Sequence, residues 1–427
     1  MARAVALDAH TRLLADSILG PGDCLNPEDL SCVADAVFAK TGQQTPLVQR
    51  MHPQAFRSAE PNEGYLLAAA LLREQAIVCL MTLNFDYAIA VALSQLGARD
   101  SVAVIHGPEE HGQISAINVI FLNRSALSPL EDWILRTAAL DAWQGRWEEV
   151  VTGRVLSSPV TVFAGLGTPS GVLLETAHKV RAAIPGGTVI YQVDPVDREQ
   201  SAFFARLNIP AESYIRLPWG QFMRELSERV LIEHKIELQN SCELMVAGEA
   251  VERENTEPLC ASFVNLGLLN SGKLRARWLL EATAYVPHLG LELSWIANLI
   301  LAIALIQRKT ASRAAFREDG IVDFYRGDKI IAALIIAHGR GSKRWLSIEP
   351  ALHSLAEEHR HRYPRPLCAL VAGVQGPRKP EVSPPMNIVP TEDPSSILPK
   401  GLAVGITDVD ELRANDAAVR SLVNDEL

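Results

Sequence analysis

At 427 residues the chain exceeds one typical domain, and two are expected. Its 48% apolar and 21% charged residues suffice for ordinary cores and exclude general disorder. A formal net charge of −10 excludes a global attraction to nucleic acid, so any such contact must be a local patch.

In chain order, residues 1–20 read as a helix with apolar positions at Ala4, Leu7, Leu13, Leu14 and Ile18, broken by Gly20-Pro21-Gly22-Asp23. A second helix is expected over 27–40, with Asn26 as N-cap and Gly42 at its end. A helix at 63–73 leads into the run AIVCLMTLNF at 76–85. Its first eight residues are apolar except Thr82, the pattern of a strand buried on both faces. The run ends on Asn84 and Asp86, which straddle Phe85, and a helix at 87–96 follows. Polar side chains at the carboxyl end of a buried strand lie where open α/β sheets bind ligands. In the plain alternative, Asp86 caps the helix. Strands are then expected at 102–105, 117–122, 157–165 and 188–193, with a helix at 172–183. Trp133, Trp143 and Trp147 fall in a segment, 126–152, read as helical packing. This order of strands and helices predicts an α/β fold with a doubly wound parallel sheet.

TLNFD at 82–86 resembles the T-x-N-x-D strand end of the sirtuin family, including the sirtuin-like NAD hydrolases of bacterial phage defence. The resemblance implies that Asn84 orders water and ribose near the nicotinamide ribose and that Asp86 supports the site. His106-Gly107, at the end of the next strand, is similar to the family's H-G pair, whose imidazole takes a proton from a ribose hydroxyl. A second register is equally open. There Asn123-Arg124-Ser125 stands where defence-type members carry H-G-S, and the base is replaced by Asn123. GLGTPSG at 165–171 resembles the late glycine-bearing loop that approaches the cofactor, with Gly165, Gly167 and Thr168 at the matching positions. Gln192, at the end of the last strand, resembles the polar residue near the adenosine. The likeness covers residues 24–220 and implies a Rossmann-like, sirtuin-type domain over 1–220. It departs from the family in two ways. Nothing before residue 76 matches the N-terminal G-A-G-x-S phosphate loop. The six cysteines, at 24, 32, 79, 242, 260 and 368, form no C-x-x-C pair, which argues against the family's zinc module. The cysteines give no disulfide framework, and the sequence opens without a basic-then-apolar signal pattern; a cytoplasmic location is expected.

Residues 221–427 are expected to form a C-terminal helical and α+β domain. Residues 289–306 are apolar, but Glu292 and Asn298 interrupt them, so a buried helix is expected rather than a membrane span. Strands at 321–325 and 329–337, a helix at 348–360 and a strand at 367–374 have the order of a restriction-nuclease-like core. The second strand lacks the acidic residue and lysine that would hold Mg²⁺, which argues against nuclease activity. The loop at 338–345, with Arg340, Lys343 and Arg344, is the most basic stretch and a candidate phosphate or nucleic-acid patch; a solvated loop is the plain alternative. Residues 376–400 read as a Pro-rich linker and 401–406 as a last strand.

Two functions follow from the resemblance. In one, the chain is a degenerate sirtuin-like subunit of an antiphage-type complex, with an ATPase or nuclease encoded nearby as partner. In the other, it is an NAD hydrolase that releases nicotinamide, with Asn84 and His106 in the site and NAD as the bound molecule. The missing phosphate loop and the Asn123 register favour the first.

Overall fold

Two three-stranded parallel ladders carry the first part of the chain. The computed structural model describes residues 2–99, 101–140, 142, 146–166, 171–246, 253–279, 289–337, 342–360, 367–373, 402–409 and 412. The chain divides into two compact units, Met1–Leu226 and Ser227–Leu427.

In the first unit, β1 (Cys79–Thr82), β2 (Ala103–Ile105) and β3 (Asn118–Phe121) are parallel in the order β1-β3-β2. β4 (Val160–Ala164), β5 (Val189–Val193) and β6 (Tyr214–Ile215) form a second parallel ladder in that order. The fold is α/β. Where one doubly wound sheet is expected, no hydrogen-bonded strand pair joins the two ladders among the described residues. They share a core instead: Ile105, Ile120 and Leu122 pack with Phe163, Ile190, Leu173 and Phe203. β1 is shorter than its apolar run, and its four residues are half-buried rather than sealed on both faces.

The helix Glu63–Arg73 begins at Asn62, whose side chain accepts the Tyr65 N–H. The helix Leu30–Thr41 starts later than the expected 27. Asp29, not Asn26, caps it, accepting the N–H groups of Ser31 and Cys32. Helices Ala2–Ala15, Leu30–Thr41 and Thr45–Arg50 enclose an apolar cluster that includes Leu13, Val37, Leu47 and Trp133. The Trp-bearing segment is not one helix. It runs as a 3-10 turn at Leu130–Asp132, the short helix Thr137–Leu140 and the helix Trp147–Leu156.

In the second unit, β7 (Arg313–Phe316), β8 (Ile321–Arg326) and β9 (Lys329–Ala337) form an antiparallel meander. The helix Ser342–Arg360 leads to β10 (Leu367–Gly373), parallel to β9, and β11 (Leu402–Asp408) lies parallel beyond it. Side chains alternate across this sheet. Val322, Phe324, Ala332, Leu334 and Ile336 pack on one face with helix Leu289–Thr310. Ile321, Ala333 and Ile335 pack on the other against Leu352 and Leu355 of helix Ser342–Arg360. Burial on both faces explains the unbroken apolar run of β9, which has no place for metal ligands. No described helix is long and apolar enough to cross a membrane.

Candidate functional site

The carboxyl edge of the β1-β3-β2 ladder gathers the residues singled out in the sequence. Past Thr82 the chain turns, and the Thr82 hydroxyl accepts the N–H of Asn84 at 3.0 Å. Asn84 is exposed. Its Nδ2 donates to the Tyr65 hydroxyl at 3.1 Å, and that hydroxyl donates to Asp86 Oδ2 at 3.3 Å. Asp86 Oδ1 accepts the N–H of Ala88, the first residue of the helix Ala88–Gln95, at 3.3 Å. Asn84 and Asp86 are therefore tied together through Tyr65, and Asp86 also serves the helix start. Burial, then the Asp86 charge, pushes the Tyr65 phenol up to about 12. Phe85 turns the opposite way and stacks on Trp133 with ring centroids 4.6 Å apart.

β2 delivers His106 to the same edge. Its ring lies beside Tyr87, at 5.7 Å, and Phe121, at 5.3 Å, and those two rings also meet each other at 6.4 Å. Its backbone N–H donates to Glu110 at 2.6 Å. Burial holds its pKa below the ordinary imidazole range, against an opposing pull from Glu110, so the ring is neutral at pH 7. Its Nδ1 is buried with no hydrogen-bond partner. β3 delivers Asn123, 7% exposed, whose Nδ2 donates to the Leu83 carbonyl at 3.3 Å while its Oδ1 is buried and unpartnered. The order Asn84, Asn123, His106 across the edge follows the strand order β1-β3-β2. The two alternative base positions thus stand on adjacent strands of one edge.

Tyr65, Glu110 and Glu148 join this edge without having been singled out from the sequence, where no motif spacing marks them; Arg124, the middle residue of the Asn123-Arg124-Ser125 tripeptide, joins it as well. Arg124 has φ 75°. Its guanidinium donates to Glu148 at 3.1 Å and lies over the Trp147 ring. These side chains are only 12% and 2% exposed, and Glu148 also meets Arg146 at 3.7 Å, so one carboxylate serves two guanidiniums. A Cβ at Gly107 would meet the carboxylate end of the exposed Glu109 side chain at 2.5 Å and Arg124 at 3.4 Å.

The second ladder contributes less. Gly165 sits just past β4 at φ 67° and donates its N–H to the Val193 carbonyl at 3.1 Å; a Cβ there would meet open space, so the backbone angle is what favours glycine. Gly167 and Thr168 lie outside the described residues. Gln192 is fully buried, and its Nε2 donates to Ser201 at 2.8 Å. Ser201 in turn caps the helix Ala202–Leu207. Gln192 therefore ties β5 to that helix from inside the core, with its Oε1 buried and unpartnered. Arg340 lies outside the described residues, as do the side chains of Lys343 and Arg344.

Of the two described cavities, the first is a groove of about 560 Å³ at the amino end of β5, lined by Arg181, Ile184, Thr188 and Ile209. The other follows the helix Gly171–Ala183. Asn84, Asp86 and His106 line neither of these two. Among the described residues, no group of three or more His, Cys, Asp or Glu side chains is placed to hold a metal ion. No family model matches the chain, and no curated protein matches it.

Proposed function

We propose that the chain is a non-catalytic subunit of a protein assembly, built on a degenerate sirtuin-like, Rossmann-like α/β domain of the kind found in bacterial phage defence. The observation that carries this reading is an uncovered apolar face on the β4-β5-β6 ladder. Val160, Val162 and Val189 are 58%, 40% and 46% exposed, while Phe163, Ile190 and Gln192 on the other face are buried. Parallel ladders are normally covered on both faces, and exposed apolar patches mark interaction sites. The occupant expected here is an apolar surface of a co-encoded protein, of the ATPase or nuclease type. Nucleic acid would be met locally, through Arg340, Lys343 and Arg344.

The chemistry of the β1-β3-β2 edge favours the same reading. Asn84 and Asp86 are tied together through Tyr65, and His106 packs against the Tyr87 and Phe121 rings. The edge fits NAD only in part. A neutral His106 and the free Oδ1 of Asn123 suit a hydroxyl-bearing group, whereas Arg124 is engaged by Glu148 and does not meet a diphosphate. Those two unpartnered atoms are the specific support for the second reading, an NAD hydrolase.

The experiment is incubation of the purified protein with NAD, with and without its co-encoded neighbours, following free nicotinamide and complex formation by native mass spectrometry. A stable complex and no nicotinamide are expected. Release of nicotinamide that Asn84→Ala and His106→Ala each abolish would establish the hydrolase instead.

A further inference from the structure

We infer that Cys24 and Cys32 form a dithiol that closes to a disulfide in the folded protein, making the start of helix Leu30–Thr41 a site of oxidative modification. The two residues are eight apart in sequence and match no redox motif, yet their sulfurs lie 3.6 Å apart. A disulfide requires about 2.05 Å, so side-chain rotation must bring the sulfurs about 1.5 Å closer.

The two thiols are unequal. Cys24 is buried in the cluster formed by Val33, Val37 and Leu47, and burial followed by the neighbouring Cys32 pushes its thiol up to about 11. Cys32 is only half-buried; it occupies the third position of its helix, and its N–H is taken up by Asp29. Cys32 is thus the sulfur that meets an oxidant, and Cys24 the one that resolves it.

With a peroxide, the Cys32 thiolate attacks one peroxide oxygen; the O–O bond breaks, Cys32 becomes a sulfenic acid and one water leaves. The Cys24 sulfur then attacks the Cys32 sulfur, the S–O bond breaks and a second water leaves. Two thiols lose two electrons in all, and one peroxide becomes two waters.

The second unit supplies an internal control. Cys242 and Cys260 lie 3.8 Å apart but are 1% and 0% exposed, so proximity is similar and access differs.

The test treats the intact, native chain with hydrogen peroxide, blocks remaining thiols by alkylation and maps the peptides by mass spectrometry. The expected result is a Cys24–Cys32 link, reversed by dithiothreitol and formed at least tenfold faster than any Cys242–Cys260 link. In Cys24→Ser, the Cys32 sulfenic acid persists and is trapped by dimedone; in Cys32→Ser, Cys24 gives no adduct. The inference is overturned if the wild-type chain forms no link, or if both pairs close at one rate, since the second outcome would report unfolding rather than a native site. An unlabelled Cys32 in Cys24→Ser would overturn the assignment of the two roles.

Discussion

Replacing Tyr65 by Phe tests the hydrogen-bonded chain that closes the β1 edge. Near pH 8 the phenol is protonated in both folded and unfolded states, so the substitution removes one donor to Asp86 and one acceptor from Asn84. Asn84 is exposed and recovers water; Asp86 loses a bond to a charged acceptor, for a net loss of about 1–2 kcal/mol. The Tyr65 phenol is raised from 10.0 to about 12 by burial and by the Asp86 charge. Folding therefore favours the protonated phenol. Its stabilisation is complete below about pH 10 and is lost as pH rises toward 12. At pH 11 one pKa unit's worth, about 1.4 kcal/mol, has gone. The advantage of the wild type over Tyr65→Phe should shrink by that amount between pH 8 and pH 11 in urea unfolding. The difference in phenolate absorbance between the two proteins should titrate near pH 12. A difference titration centred near pH 10, or equal pH slopes for both proteins, would refute a buried Tyr65 beside Asp86.

Trp133 is 1% exposed, stacks on Phe85 and meets the Phe56 ring edge-on at 6.0 Å; Trp133→Ala should cost about 4 kcal/mol. Calorimetry should show the first unit's transition fall by about 8–16 °C, and a loss under about 1 kcal/mol would show the cluster to be loose. Asp323 in β8 is 2% exposed with Oδ1 unpartnered, and burial raises its pKa against the opposing pull of Arg317. The stabilisation from its protonated form is present at low pH and lost as pH rises through the folded-state value, so Asp323→Asn should be at least as stable as wild type at pH 7 and gain relative to it from pH 4 to 7; a destabilised variant at pH 7 would show that Arg317 outweighs burial. Val162→Lys should change stability by no more than about 0.5 kcal/mol yet abolish the complex with the co-encoded partner; unchanged binding would remove that face from the interface.

Local signals in the sequence were enough where the chain decides its own geometry. Helix Glu63–Arg73 occurs over the expected residues because Asn62 provides a cap whose reach is local. The turn between β8 and β9 forms at Gly327, φ 60°, again a local matter. Tertiary packing decided the rest. The segment after β3 reads as a helix by composition, but Trp133 is claimed by Phe85 and the Ile134 N–H donates to the Asn123 carbonyl, so the chain runs as a strap. The choice between His106 and Asn123 could not be made from spacing, because β3 enters the ladder between β1 and β2. That order puts both residues at one edge, and no one-dimensional register contains it. Tyr65 was invisible for a related reason: its partners lie 19 and 21 positions away, and no period links a helix position to a strand end.

The two kinds of sheet in this chain are covered differently. β9 is apolar along its length, and the structure supplies a cover for each face: helix Leu289–Thr310 on one side and helix Ser342–Arg360 on the other. β4 and β5 make the same demand. Val160, Val162 and Val189 alternate with Thr161, Phe163 and Ile190, so neither face has the polar pattern that solvent would select. Among the described residues, the face carrying Phe163 and Ile190 is covered, by Leu173, Leu174 and Phe203 among others, while Val160, Val162 and Val189 stay exposed. A strand whose outward positions were meant for water would carry Thr, Lys or Glu there, at no cost to the core behind it. Three β-branched aliphatic side chains in register, Val160 opposite Val189 and Val162 opposite Tyr191, are the composition of an interior surface. At the β1 edge Asn84 and Asp86 are tied through Tyr65 while His106 Nδ1 and Asn123 Oδ1 are buried without partners; the apolar face of the neighbouring ladder is open. An uncovered apolar face of this kind is the feature on which the proposed association rests.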